Sequence, residues 1–140
     1  MTNDVFLDTS YAIALSSPND RHHAKAQSLA ARLDASATRL VTTRAVLLEI
    51  GNALSKQRFR RTALMLLQWI EADPKIEIVP LTEQLYADAL KLFRERPDKD
   101  WGLVDCVSYI VMQQRGMSEV LTADEHFEQM GFRALLREPD

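Results

Sequence analysis

Four carboxylates stand where a carboxylate is awkward. Asp8 ends the short apolar run Val5-Phe6-Leu7 and is followed by Thr9 and Ser10. Glu49 interrupts the apolar stripe of a helix, one turn from Val46 and one turn from Ala53. Asp105 falls in the first turn of the helix that begins after Gly102, and Asp124 follows Val120-Leu121-Thr122 much as Asp8 follows the first run. Asp100 is a fifth candidate, slightly upstream. Taken singly, each has a local explanation. Asp8 and Asp124 could cap helices, or Thr122 could do so with Glu125 completing a capping box. Asp105 could complement a helix dipole, and Glu49 could pair with Arg44. Taken together, the acids suggest chemistry. If the first and fourth strands are neighbours, Asp8 and Asp124 converge at one sheet edge, and two helix-borne acids aimed there concentrate negative charge. Carboxylates crowded in this way repel, and must either protonate or bind a cation. The single cysteine, Cys106, rules out a thiolate cluster. All-oxygen donors fit Mg²⁺, with Mn²⁺ as a substitute. One or two such ions can activate water and stabilise the leaving oxygen of a phosphodiester.

The elements that must position these acids alternate. Val5 to Leu7, Leu40 to Thr42, Ile76 to Val79 and Val120 to Thr122 read as strands, and Phe132 to Leu136 as a fifth, edge strand. Helical spacing fills the intervals. One helix begins near Tyr11, and one spans Arg21 to Leu33 with Asp20 as a cap. Thr43 and Thr82 are expected to cap two more, and Gly116 to end the helix that carries Asp105. Strand–helix alternation implies a parallel sheet covered on both faces, with ligands outside the carboxyl ends of the strands.

The totals are those of an ordinary soluble α/β domain. One domain is expected over residues 1–140, with 46% hydrophobic and 26% charged residues. No apolar run reaches the ~20 residues that span a bilayer, and no secretory signal is visible, so a cytoplasmic setting without membrane attachment is expected. The net charge of −3 argues against binding nucleic acid by bulk positive charge. It is compatible with acids clustered around metal ions, whose charge inverts the local sign.

The ordered set Phe6-Leu7-Asp8-Thr9-Ser10, Val46 to Leu54 around Glu49, Asp105-Cys106-Val107-Ser108 and Leu121-Thr122-Ala123-Asp124-Glu125-His126-Phe127 resembles the PIN-domain ribonucleases, in particular the VapC-type toxins of toxin–antitoxin systems. The resemblance covers nearly the whole chain. It implies a three-layer α/β/α sandwich with a mainly parallel five-stranded sheet, metal-dependent endonuclease action on RNA, and a cognate antitoxin that blocks the site. Asp8, Glu49, Asp105 and Asp124 match the family's acidic quartet, and Asp100 an accessory acid. Gly102 departs from the serine or threonine cap common in the family.

Arg44, Lys56, Arg58, Arg60 and Arg61 form the clearest basic group, expected to hold RNA phosphates without reading sequence. His22 and His23 are expected on the surface, Cys106 in the core. Trp69 with Leu66, Leu67 and Ile70 makes a broad apolar face, which suggests a homodimer contact or an antitoxin groove. Two other readings stand beside the nuclease. A phosphatase with Asp8 as nucleophile needs a second acid two residues on, where Ser10 stands. A non-catalytic RNA-binding domain has no need of the complete quartet.

Overall fold

The computed structural model describes residues 3–139. Five strands form one parallel sheet in the order β3-β2-β1-β4-β5, with β1 Val5–Leu7, β2 Leu40–Thr43, β3 Ile76–Val79, β4 Glu119–Leu121 and β5 Arg133–Ala134. β1 pairs with β2 through Val5 and Leu40, and with β4 through Leu7 and Leu121. The central strands β1 and β2 are buried along their whole length. Their continuous apolar runs follow from burial on both faces. Thr42 resolves its own buried hydroxyl by donating to the Leu7 carbonyl at 2.8 Å.

The chain winds outward from β1 to β3, then returns to the far side of β1 for β4 and β5. Right-handed crossovers therefore place the helices of the two halves on opposite faces. The first group is α1 (Thr9–Ser16), α2 (His23–Ala35), α3 (Arg44–Ala53) and α4 (Arg60–Ala72). The second is α5 (Glu83–Glu95), α6 (Leu103–Gln114) and α7 (Glu125–Gln129). Helix α3 also packs against α6, so the two groups meet beside the carboxyl ends of the strands. This is the expected α/β architecture with its five-stranded sheet.

Local signals set most boundaries. Thr43 and Thr82 accept the amides of Val46 and Leu85, each at 3.1 Å, and cap α3 and α5 as expected. Gly116 leaves α6 with φ 65°, a conformation glycine adopts without strain. Other boundaries differ from expectation. Helix α2 starts at His23, because Asp20 accepts the His22 amide in a turn and does not cap the helix. His23 is not a free surface residue: its Nδ1 bonds to the Ala14 carbonyl at 2.8 Å and ties α2 to α1. β5 has only two residues, because Leu135 and Leu136 turn into the core within a 3₁₀ turn over Leu135–Arg137. β4 ends at Leu121, which frees Thr122 from the ladder. On α4 the outward apolar residues are Leu64 and Met65, each over 60% exposed, whereas Trp69 packs against the core. Cys106 is fully buried, as expected. No helix among the described residues is long and apolar enough to cross a membrane.

Candidate active site

β1 and β4 are neighbours, and the winding reverses between them. That is the crevice where open α/β sheets bind ligands. Asp8 leaves the end of β1 there, its amide bonded to the Leu121 carbonyl of β4 at 3.2 Å. Asp124 enters three residues beyond β4. Glu49 arrives from α3 and Asp105 from the first turn of α6.

The structure brings the four acids together. Asp8 feels the charges of Asp105 and Glu49, Glu49 those of Asp105 and Asp124, and Asp105 that of Asp124. Each side chain is held by a different device. Asp8 is 4% exposed and does not cap α1. Its Oδ2 accepts from Thr122 Oγ1 at 2.8 Å, and its Oδ1 is buried without a partner. Burial is the chief reason its carboxyl is pushed up to about 7, with the Asp105 and Glu49 charges adding to it. The Thr122 hydroxyl and the Thr9 amide pull the other way. Glu49 does not pair with Arg44, which bonds to Glu71 instead at 2.6 Å. Its Oε1 accepts a short hydrogen bond from Thr9 Oγ1. Burial raises the Glu49 carboxyl as well, opposed by that bond.

Asp105 accepts the Gly102 amide at 3.0 Å, so it completes the helix terminus without help from a side chain at position 102. The loop before it is anchored by Trp101, which is buried, stacks near Tyr109 and donates to Gln129 at 2.9 Å. Asp105 too is raised, mainly by burial. Asp124 caps α7 by accepting the His126 amide at 2.9 Å. For Asp105 and Asp124 the local and the functional explanations therefore hold together: each carboxylate serves a helix end and faces the others.

Three further side chains join the four acids. Thr122 donates to Asp8 and accepts the Asp124 amide at 3.0 Å, joining the two strand-end acids through one hydroxyl. Ser10 joins the same knot, 3.0 Å from Thr122 Oγ1, and accepts the Ala123 amide at 3.0 Å. His126 places Nδ1 3.2 Å from Asp105 Oδ2 and 3.3 Å from Asp124 Oδ1. Its signal was available: the second residue of a helix lies beside the acid that caps it.

The remaining candidates lie outside this cluster. Asp100 is exposed on its loop. Arg58 stacks on Phe59, and Arg60 donates to the Ser55 carbonyl. Lys56 and Arg61 are exposed. Among the described residues no hydrogen bond or ion pair joins these side chains to the four acids.

The donor set fits a divalent cation. A buried, unpartnered carboxylate oxygen is costly in a native fold, and burial first, then the like charges around them, raises the proton affinity of Asp8, Glu49 and Asp105. Asp105, Asp124 and His126 offer ligand atoms all within 4.8 Å of one another.

A family model for the PIN domain matches residues 5–133. The chain belongs to the PIN-domain family. This PIN domain is 27% identical over 129 residues to the 23S rRNA-specific endonuclease VapC20 of Mycobacterium tuberculosis, covering 91% of this chain and 95% of the relative. The crystal structure of that VapC20, described as a Sarcin-Ricin loop cleaving toxin, superposes with TM-score 0.80 at 26% identity over 91% of this PIN domain and 95% of VapC20. Promoter-DNA-bound VapBC2 of Rickettsia felis (14% identical, TM-score 0.65, 94% and 96% covered) shares the fold. So does DNA-bound VapBC of Salmonella typhimurium (18%, 0.65, 96% and 97%).

Proposed function

We propose that this protein, one domain over residues 1–140, is a divalent-metal-dependent endoribonuclease and the toxin of a toxin–antitoxin pair. The observation that carries the reading is the meeting of Asp8, Glu49, Asp105 and Asp124 at the switch point of the sheet, with Asp8 Oδ1 buried and unpartnered. The kinship with VapC20, an RNA endonuclease by description, supports RNA as the substrate.

Asp8, Asp105 and Asp124 would hold Mg²⁺ or Mn²⁺, with Asp100, which matches the family's accessory acid, in a lesser role. The cation supplies charge stabilisation at the phosphate and lowers the pKa of water. The protein does the rest. Thr122 and Ser10 fix the spacing of Asp8 and Asp124. Thr9 holds Glu49 by Oε1, which leaves Oε2 to take the proton of the attacking water. The raised affinity of Glu49 for protons suits a general base. Attack on phosphorus is in line, and no covalent enzyme intermediate is required. Arg44, Lys56, Arg58, Arg60 and Arg61 would hold the RNA backbone. Arg44 must first leave Glu71, an exposed pair that is cheap to break.

The test is cleavage of bulk RNA by the purified protein with Mg²⁺ or Mn²⁺, then of the Sarcin-Ricin loop as a first defined substrate. Cleavage should need the cation and vanish in Asp8→Asn. Cleavage that survives either chelation or that substitution would reject the reading. The toxin role is tested separately, by growth arrest on expression relieved by Asp8→Asn, and the homodimer expected from the sequence by size in solution.

A further inference from the structure

His126 is the second residue of α7, and its position is doubly fixed. Its main-chain N–H bonds to Asp124 Oδ1 at 2.9 Å, and its ring Nδ1 lies 3.3 Å from that same oxygen and 3.2 Å from Asp105 Oδ2. Phe127, the next residue, is fully buried and anchors the turn. The ring is itself mostly covered, with 24% of the side chain exposed. It therefore faces the acids and not open solvent. A second and independent sign of a ligand here is Asp8 Oδ1, buried without a hydrogen-bond partner on a carboxylate close enough to Asp105 to feel its charge.

We propose that His126 is a nitrogen donor of the cation site and makes this PIN domain select Mn²⁺ over Mg²⁺. The inference rests on the metal-dependent reading given above. Mg²⁺ demands near-ideal octahedral oxygen coordination and parts reluctantly with water, whereas Mn²⁺, a transition-metal ion, accepts an imidazole nitrogen in place of water more readily than Mg²⁺ does. A neutral imidazole carries one proton on one of its two nitrogens. With that proton on Nδ1, the ring bridges Asp105 and Asp124. With it on Nε2, the Nδ1 lone pair faces the space between them. One side chain thus holds the two acids together before the cation arrives and binds it afterwards.

The experiment is cation binding to the full chain. Free Mn²⁺ is followed by electron paramagnetic resonance, and Mg²⁺ by competition against it, in the wild type, His126→Asn and His126→Ala. Circular dichroism checks that each variant is folded. The wild type should bind Mn²⁺ at least about tenfold more tightly than Mg²⁺, and in both variants Mn²⁺ affinity should fall at least about tenfold more than Mg²⁺ affinity does, so that the preference is lost. If the wild type binds both cations and their ratio is unchanged in the variants, the assignment of His126 falls and the metal-dependent reading stands. If the wild type binds neither, both fall.

Discussion

Thr122 Oγ1 stands 2.8 Å from Asp8 Oδ2 and 3.0 Å from the amide of Asp124, so a single hydroxyl sets the spacing of the two acids that end adjacent strands. Its one proton goes to Asp8, and its lone pair takes the Asp124 amide. Thr122→Val keeps the shape and removes both bonds. It should cost about 1–3 kcal/mol of stability, the range for stranding buried polar groups, and reduce cleavage at least about tenfold. Thr122→Ser should restore most of both. Denaturant unfolding and initial rates measure the two effects, and a valine variant with normal cleavage would remove Thr122 from the site.

Asp8 links stability to pH. Its carboxyl is raised from 3.8 to about 7, and Glu49 and Asp105 are raised as well. A folded-state pKa above the unfolded value means that the native state holds more protons. The stabilisation is complete below the unfolded values near 4, and is lost as pH rises toward about 7. For Asp8 alone the loss is on the order of 4 kcal/mol. The metal-free protein should thus melt at a lower temperature at pH 8 than at pH 5. Added Mn²⁺ should raise the melting temperature far more at pH 8 than at pH 5, because protons and cation compete. A metal-free melting temperature that climbs from pH 5 to pH 8 would contradict this.

Asp8→Asn removes a charge that the metal-free fold must accommodate. The variant should melt several degrees higher than wild type at pH 8 without metal, about 5 °C for 1–2 kcal/mol. It should show no further rise with Mn²⁺, and no cleavage. Scanning calorimetry with and without cation separates this from simple unfolding, which would lower the melting temperature in both conditions.

Thr9 is buried and holds Glu49. Thr9→Val should lower kcat about 10–100-fold with KM nearly unchanged, because it disorients a base without touching bound RNA. Thr9→Ser should recover most of kcat. An equal fall in Thr9→Ser would show that the methyl group matters and the hydroxyl does not.

The basic group makes a prediction in salt. Arg58→Ala and Arg61→Ala should each weaken RNA binding and flatten the plot of log affinity against log salt, by about 0.7 per lost contact to single-stranded RNA. Binding to catalytically inactive Asp8→Asn protein measures this without cleavage. An unchanged slope in both would return these arginines to the solvated surface.

What could be read in advance was what local chemistry decides. The caps Thr43 and Thr82, the stop at Gly116 and the apolar runs of β1 and β2 depend on neighbours in sequence, and they stand where expected. The four acids were conspicuous because each sits where an apolar or capping residue would serve. What escaped depends on partners distant in the chain. Ser10 and Thr122 are 112 residues apart, and nothing near either marks their bond. His126 meets Asp105 across 21 residues. In sequence Leu135 and Leu136 look like a continuation of β5, but they bury themselves by turning inward. Apolar spacing centres the face of α4 on Trp69, whereas packing turns Leu64 and Met65 outward.

The central claim is that these acids hold a divalent cation, and diffraction from Mn²⁺-soaked crystals at the manganese edge tests it most directly. The account predicts an anomalous peak within about 2.5 Å of Asp8 Oδ1 and of carboxylate oxygens of Asp105 and Asp124. Fully occupied Mn²⁺ elsewhere on the surface, with Asp8 Oδ1 still unligated, would contradict it.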